Sequence, residues 1–170
     1  MQQQTLKTAV SFEGNSLHTG ENVQVSLLPS DVNTGIVFVR TDLENFEIPA
    51  LARFVQRTNR QTIIQKGEAS VGTIEHLMAS LYALGIDNVK VELNGSEIPI
   101  LDGSAAPLVD LINEAGIEQQ SEEKNYYVLE EPFTFTDEDG SEIMALPSEN
   151  FEVSALIDYG SSVLGPQHAH

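Results

Sequence analysis

Only four histidines, His18, His76, His168 and His170, stand among the side chains of this chain that could hold a metal or move a proton near neutral pH, and there is no cysteine. A hydrolytic zinc site uses three protein ligands and keeps a fourth position open for water. His76 follows Glu75 in Thr73-Ile74-Glu75-His76-Leu77, where the apolar residues have helical spacing. It falls between the apolar stripe and a side of small residues made by Thr73, Ser80 and Ala83, a position from which an imidazole can face out of the core. A lone helical histidine is more often structural than a ligand. Glu75 beside it does not decide the matter, because the paired-histidine helical zinc motif would need a second histidine at position 80, which is Ser80. His18 lies in the Gly- and Ser-containing loop Glu13–Gly20 and reads as a turn or surface residue. His168 and His170 share one face of any extended strand, but they read first as a frayed chain end. Asp102, in Asp102-Gly103-Ser104, reads as a turn residue or as a carboxylate aimed at a site, with spacing alone favouring the turn. Neither a phosphate-cradling glycine loop nor a G-x-S-x-G elbow occurs, so nucleotide-loop and serine-hydrolase chemistry have no support.

The elements that would position these groups follow from periodicity. Val23, Val25 and Leu27 alternate with Asn22, Gln24 and Ser26, and Val89, Val91 and Leu93 alternate with Asn88, Lys90 and Glu92. Both runs predict half-buried strands, as do Ile36–Val39 and the neighbourhood of Phe12. Ile74, Leu77, Met78, Leu81 and Leu84 predict a first helix, capped by Thr73 or Ser70 and closed by Gly85. Leu108, Leu111, Ile112 and Ala115 predict a second, with Pro107 in its first turn, Ser104 upstream and Gly116 at its end. The polar run Glu118–Asn125 has no apolar period and reads as a linker. Strands resume at Tyr126–Leu129, Phe133–Thr136, Ile143–Leu146 and Phe151–Ile157, with turns at Asp137–Gly140 and Pro147–Asn150. These later strands have no helix to cover a face, so the second unit reads as unfinished.

Bulk composition narrows the classes. A net charge of −18, with only eight Lys and Arg, repels phosphate backbones and argues against nucleic-acid binding. The apolar stretches are short and interrupted by charges, so no membrane span is predicted. The start, MQQQTLKTAV, lacks the basic and apolar regions of a secretory signal. Together with the absence of cysteine, this fits a cytoplasmic protein. The charge raises one difficulty: a nucleotide-sugar ligand would need positive groups that this chain scarcely offers.

Four segments taken together add a more specific expectation: Ser11–Gly20 (SFEGNSLHTG), Asn33–Leu43 (NTGIVFVRTDL), Thr73–Asn88 (TIEHLMASLYALGIDN) and Ile98–Pro107 (IPILDGSAAP). In this order and spacing the chain, from about Thr5 to Leu164, resembles the zinc-dependent deacetylase that removes the N-acetyl group of UDP-3-O-acyl-N-acetylglucosamine in bacterial lipid A synthesis. The Tyr82-containing helix and the second unit look most similar to a form fused to a 3-hydroxyacyl-carrier-protein dehydratase.

The resemblance implies an α+β fold: a two-layer domain of sheet plus helices over residues 1–120, a linker at 121–125, and the opening strands of a second, similar domain at 126–170. It implies that His76 is a Zn2+ ligand and Glu75 the general base. His18 matches a histidine near the cleft, although Ser16 stands where that loop has a glycine. Thr62 borders the site, Gln61 replaces a cysteine found in some members, and Asp102 matches a supporting aspartate. The family's other two zinc ligands, a His and an Asp four residues apart beside a lysine, have no counterpart here, and neither does its acid histidine. The remaining ligands and the cations for the diphosphate are therefore expected beyond the chain end, and the 170 residues are expected to be inactive alone. The other expectation, from a different class, is a non-catalytic binding or regulatory module that associates through an exposed face of the second unit.

Overall fold

The computed structural model describes residues 1–170, which divide into two compact units, Met1–Lys124 and Asn125–His170. The first unit contains β1 (Gln2–Leu6), β2 (Val10–Asn15), β3 (Asn22–Pro29), β4 (Ile36–Arg40), β5 (Phe46–Pro49), β6 (Val55–Arg57), β7 (Ile63–Lys66), β8 (Ala69–Val71), α1 (Glu75–Ala83), β9 (Val89–Leu93), α2 (Ala106–Ala115) and β10 (Ile117–Glu123). Its main sheet runs β2-β3-β9-β4-β5, antiparallel throughout except where β9 lies parallel to β4. That parallel pair is reached through α1, the crossover such a connection needs. The α+β expectation is met.

The alternating residues do what their period predicts. Val23, Val25 and Leu27 are buried from β3, and Val89, Val91 and Leu93 from β9. Val91 sits between Leu27 on one side and Phe38 on the other. The sheet, α1 through Leu77 and Leu81, and α2 through Leu108 and Ile112 bury one common core. The helices also pack against each other. Gly85 closes α1 with φ of 71°, the Ile86 N–H reaching Leu81 O at 2.9 Å and the Gly85 N–H reaching Tyr82 O at 3.0 Å. This paired closure satisfies carbonyls the last turn would otherwise leave free.

Two local expectations are corrected. The first concerns residues 121–125, expected as a linker: 121–123 belong to β10, which pairs antiparallel with β1 from Gln2↔Glu123 to Leu6↔Ile117. Lys124 is also tied to the first unit, with Nζ 2.9 Å from Asp87 Oδ2 and 2.9 Å from Gly85 O. Pairing of a mostly exposed ribbon uses backbone groups, so it leaves no apolar period to read. The second concerns the start of α1: neither Thr73 nor Ser70 caps it, no side chain does, and Ser70 lies within β8. The Thr73 hydroxyl is occupied elsewhere, as described below.

The second unit holds two separate antiparallel pairs, β11 (Phe133–Thr136) with β12 (Glu142–Ala145) and β13 (Ala155–Ile157) with β14 (Gln167–Ala169). Asp137 organises the β11–β12 turn, its Oδ1 accepting the N–H groups of Asp139 and Ser141. Tyr126–Leu129, expected as a strand, pairs with nothing, and the strand expected over Phe151–Ile157 is confined to its last three residues. Phe133, Phe135, Ile143, Phe151 and Leu156 all remain more than half exposed. His168 is not frayed but sits opposite Leu156, and His170 Nδ1 lies 2.8 Å from Ser154 Oγ.

Candidate functional site

Glu75 and His76 open α1, and both are half-buried. Glu75 Oε2 accepts the Thr62 N–H at 3.1 Å, while no hydrogen bond is made to Oε1. One oxygen is thus anchored by backbone and the other is left available to accept a proton. The free N–H groups of the first helical turn favour a carboxylate at this point. Ser80, one turn on, is buried and donates to His76 O at 2.8 Å, so it ties the backbone of the first turn rather than the imidazole.

The approach to α1 is unusual. Thr73 has φ of 55°, a left-handed conformation that β-branched residues rarely adopt. Its hydroxyl donates to Glu97 Oε1 at 2.8 Å and lies 3.2 Å from Gln61 Oε1. Gly72 before it allows Gln61 this close, since a Cβ there would meet Gln61 Oε1 at 2.5 Å.

Glu97 is the residue that the sequence reading missed. It is 2% exposed, yet it has no cationic side chain within ion-pair distance. The carboxylate instead accepts the Thr73 hydroxyl, the Thr19 N–H at 3.0 Å, and the His18 N–H at 3.1 Å to Oε1 and 3.2 Å to Oε2. Burial opposes its charge, but these hydrogen bonds and the nearby His18 side chain outweigh that and hold the carboxyl below its usual range. The signal in the sequence was a single carboxylate set against the apolar run Ile98-Pro99-Ile100.

His18 reaches this cluster through its backbone, and its side chain is exposed. Ser16, where the related loop has glycine, is accommodated: it is buried, and its hydroxyl donates to Glu97 O at 3.0 Å. Thr62 contributes its N–H to Glu75, and Gln61 stands beside Thr73. Asp102 is exposed and acts as a turn residue. Its Oδ1 accepts both the N–H and the hydroxyl of Ser104, each at 2.9 Å, between Leu101 and Gly103 at φ of 52° and 83°. The Ser104 N–H and hydroxyl chiefly hold its carboxyl below the usual range, with a smaller contribution from the charge of His76.

No group of three His, Cys, Asp or Glu side chains converges anywhere in the 170 residues. The donor set present therefore does not by itself fit an open hydrolytic zinc site. His76 offers one nitrogen, and two surface hollows of the first unit, around Lys90 and around Lys124, are lined by other residues. No helix is long and apolar enough to cross a membrane.

Comparison with known proteins gives one family. Its model, described as UDP-3-O-acyl N-acetylglycosamine deacetylase (LpxC), matches residues 3–170. The chain is 43% identical over 169 residues to a protein of Chlorobaculum tepidum named bifunctional enzyme LpxC/FabZ, covering 98% of this chain and 36% of that one. It is 44% identical over 168 residues to the UDP-3-O-acyl-N-acetylglucosamine deacetylase of Chromohalobacter salexigens, covering 98% of this chain and 55% of that one. A relative named as bifunctional and one named as a deacetylase are thus about equally similar to it, and the chain spans between about a third and a little over half of their length.

Proposed function

The chain belongs to the UDP-3-O-acyl N-acetylglycosamine deacetylase family, and we propose that it supplies one side of a zinc-dependent site that removes the acetyl group of UDP-3-O-acyl-N-acetylglucosamine in lipid A synthesis. The observation that carries this reading is the pair at the start of α1: Glu75, with one oxygen anchored on the Thr62 N–H and the other free, next to the imidazole of His76. In this reading water adds to the acetamido carbonyl while Glu75 accepts its proton. The C–N bond then breaks, the leaving nitrogen is protonated, and acetate and a free amine result. His76 is one zinc ligand, the other ligands come from outside residues 1–170, and Asp102 is a supporting residue. His18 and Thr62 border the substrate, and the protein works in the cytoplasm.

Acetate release from the acylated UDP-sugar, measured by mass spectrometry in the protein that carries these residues, tests the reading. We expect turnover that a zinc chelator abolishes and added zinc restores. No acetate release, or turnover indifferent to chelation, overturns it. The 170 residues alone hold no stoichiometric tight zinc, which elemental analysis checks. A second reading, a non-catalytic module, draws on the exposed apolar side chains of the second unit, among them Phe133, Ile143 and Leu156. It requires a defined complex by light scattering and no turnover.

A further inference from the structure

We propose that Glu97 is a positioning residue that locks the His18 loop onto the segment leading into α1 and thereby sets where Glu75 and His76 stand; this rests on the reading that those two do the chemistry. The grip is double. Through its backbone, residue 97 bridges in parallel to Gly72, flanked by Gly72 N–H to Ser96 O at 2.9 Å and Ile98 N–H to Gly72 O at 3.1 Å. Through its side chain it takes the hydroxyl of Thr73 and the N–H groups of His18 and Thr19.

Each Glu97 oxygen already accepts two of these hydrogen bonds, which fills the acceptor capacity of a carboxylate. At 2% exposure it has no room for a ligand either. Glu97 therefore acts through the groups it holds. The chief of these is Thr73, whose left-handed backbone turns the chain into α1 two residues before Glu75. Residues of such unfavourable conformation persist only where the surroundings fix them, and here the fixing partner for the Thr73 side chain is Glu97. The amide of Thr62 reports the outcome, because it touches Glu75 and makes no bond to Glu97.

The test is amide hydrogen exchange on the 170-residue chain, comparing wild type with Glu97→Gln, Glu97→Asp, Thr73→Val and the double variant Glu97→Gln/Thr73→Val. Loss of a hydrogen bond to a buried charge predicts exchange at His18 and Thr19 about tenfold to a hundredfold faster in Glu97→Gln. The Thr62 amide should also speed up about tenfold, while those of Val25 and Val91 in the central sheet stay unchanged. Thr73→Val should reproduce the Thr62 effect, the double variant should add little to it, and Glu97→Asp should restore part of it. An unchanged Thr62 amide, additive effects, or a uniform rise that includes Val25 and Val91 overturns the proposal. Where deacetylation is measurable, Glu97→Gln should lower kcat at least tenfold with KM within about twofold. Coupling of Glu97 to the Thr62 amide in a wild-type protein that releases no acetate sinks the functional reading alone.

Discussion

Replacing Asn88 by alanine should cost far more than its place at a single bridge to Thr5 before β9 suggests. Asn88 is 1% exposed and joins three parts of the chain. Its Nδ2 donates to Gln3 Oε1 at 2.8 Å and to Gln120 Oε1 at 2.7 Å, while its Oδ1 accepts the Gly35 N–H at 2.8 Å. Truncation strips all three bonds at once. The Gly35 N–H, fixed in the backbone, has no easy second partner, and a donor left unsatisfied costs about 1–3 kcal/mol. Gln3 Oε1 keeps the Asn33 N–H at 2.9 Å and the half-buried Gln120 can turn toward water, so their two bonds add about 0.5–1.5 kcal/mol each. Together these come to roughly 2–6 kcal/mol, a large share of the ~5–15 kcal/mol typical of a domain. Urea unfolding of the 170-residue chain, followed by circular dichroism, measures it. Gln120→Ala, which removes only one of the Asn88 bonds and the 2.8 Å bond to Ser30 O, should cost less than half as much. A loss below about 0.5 kcal/mol for Asn88→Ala would refute the reasoning, because it would mean that β1 and β10 are not held to the sheet through this side chain.

Two further outcomes follow from single observations. Gly85→Ala should destabilise by about 1–3 kcal/mol, since a left-handed φ of 71° and a Cβ 2.8 Å from Gln4 Oε1 act together, and thermal unfolding should show a lower Tm. Glu97 and Asp42 both have carboxyls held below their ordinary values of 4.5 and 3.8, Asp42 chiefly by its hydrogen bonds with Arg40. A depressed folded-state value contributes stability above the unfolded value and loses it as pH falls through the folded one. Unfolding free energy should therefore decline as pH drops below about 4.5, with a shallower decline in Glu97→Gln, as urea titrations at successive pH values will show.

Much of the first unit was legible because burial there is one-sided and periodic. Val23, Val25 and Leu27, or Leu77 and Leu81, can satisfy their period only against a core. β10 was not legible, since Glu118, Gln119 and Glu123 are exposed where they pair with β1, and that pairing rests mainly on backbone groups. Thr73 was misread as a cap for a related reason. Its residue type predicts a local hydrogen bond, but the partner it uses, Glu97, is twenty-four positions away. The Glu97 cluster joins His18 and Thr19 across gaps of 79 and 78 residues, and no local pattern encodes such pairings. Glu75 and His76 were visible as a pair. What the fold added is the Thr62 N–H that orients Glu75, and the turn at Ser104 that accounts for Asp102. In the second unit, Tyr126–Leu129 has strand-forming residues and no neighbouring strand, and propensity without a partner makes no ladder.

The most direct test of the central claim is single-turnover acetate release from UDP-3-O-acyl-N-acetylglucosamine by the protein carrying these residues, wild type against Glu75→Gln. Glutamine keeps the size of the side chain and can still accept the Thr62 N–H, so folding and substrate affinity should hold. The predicted result is a rate lower by about a hundredfold to ten-thousandfold. A Glu75→Gln protein that releases acetate within a few-fold of wild type would contradict the assignment.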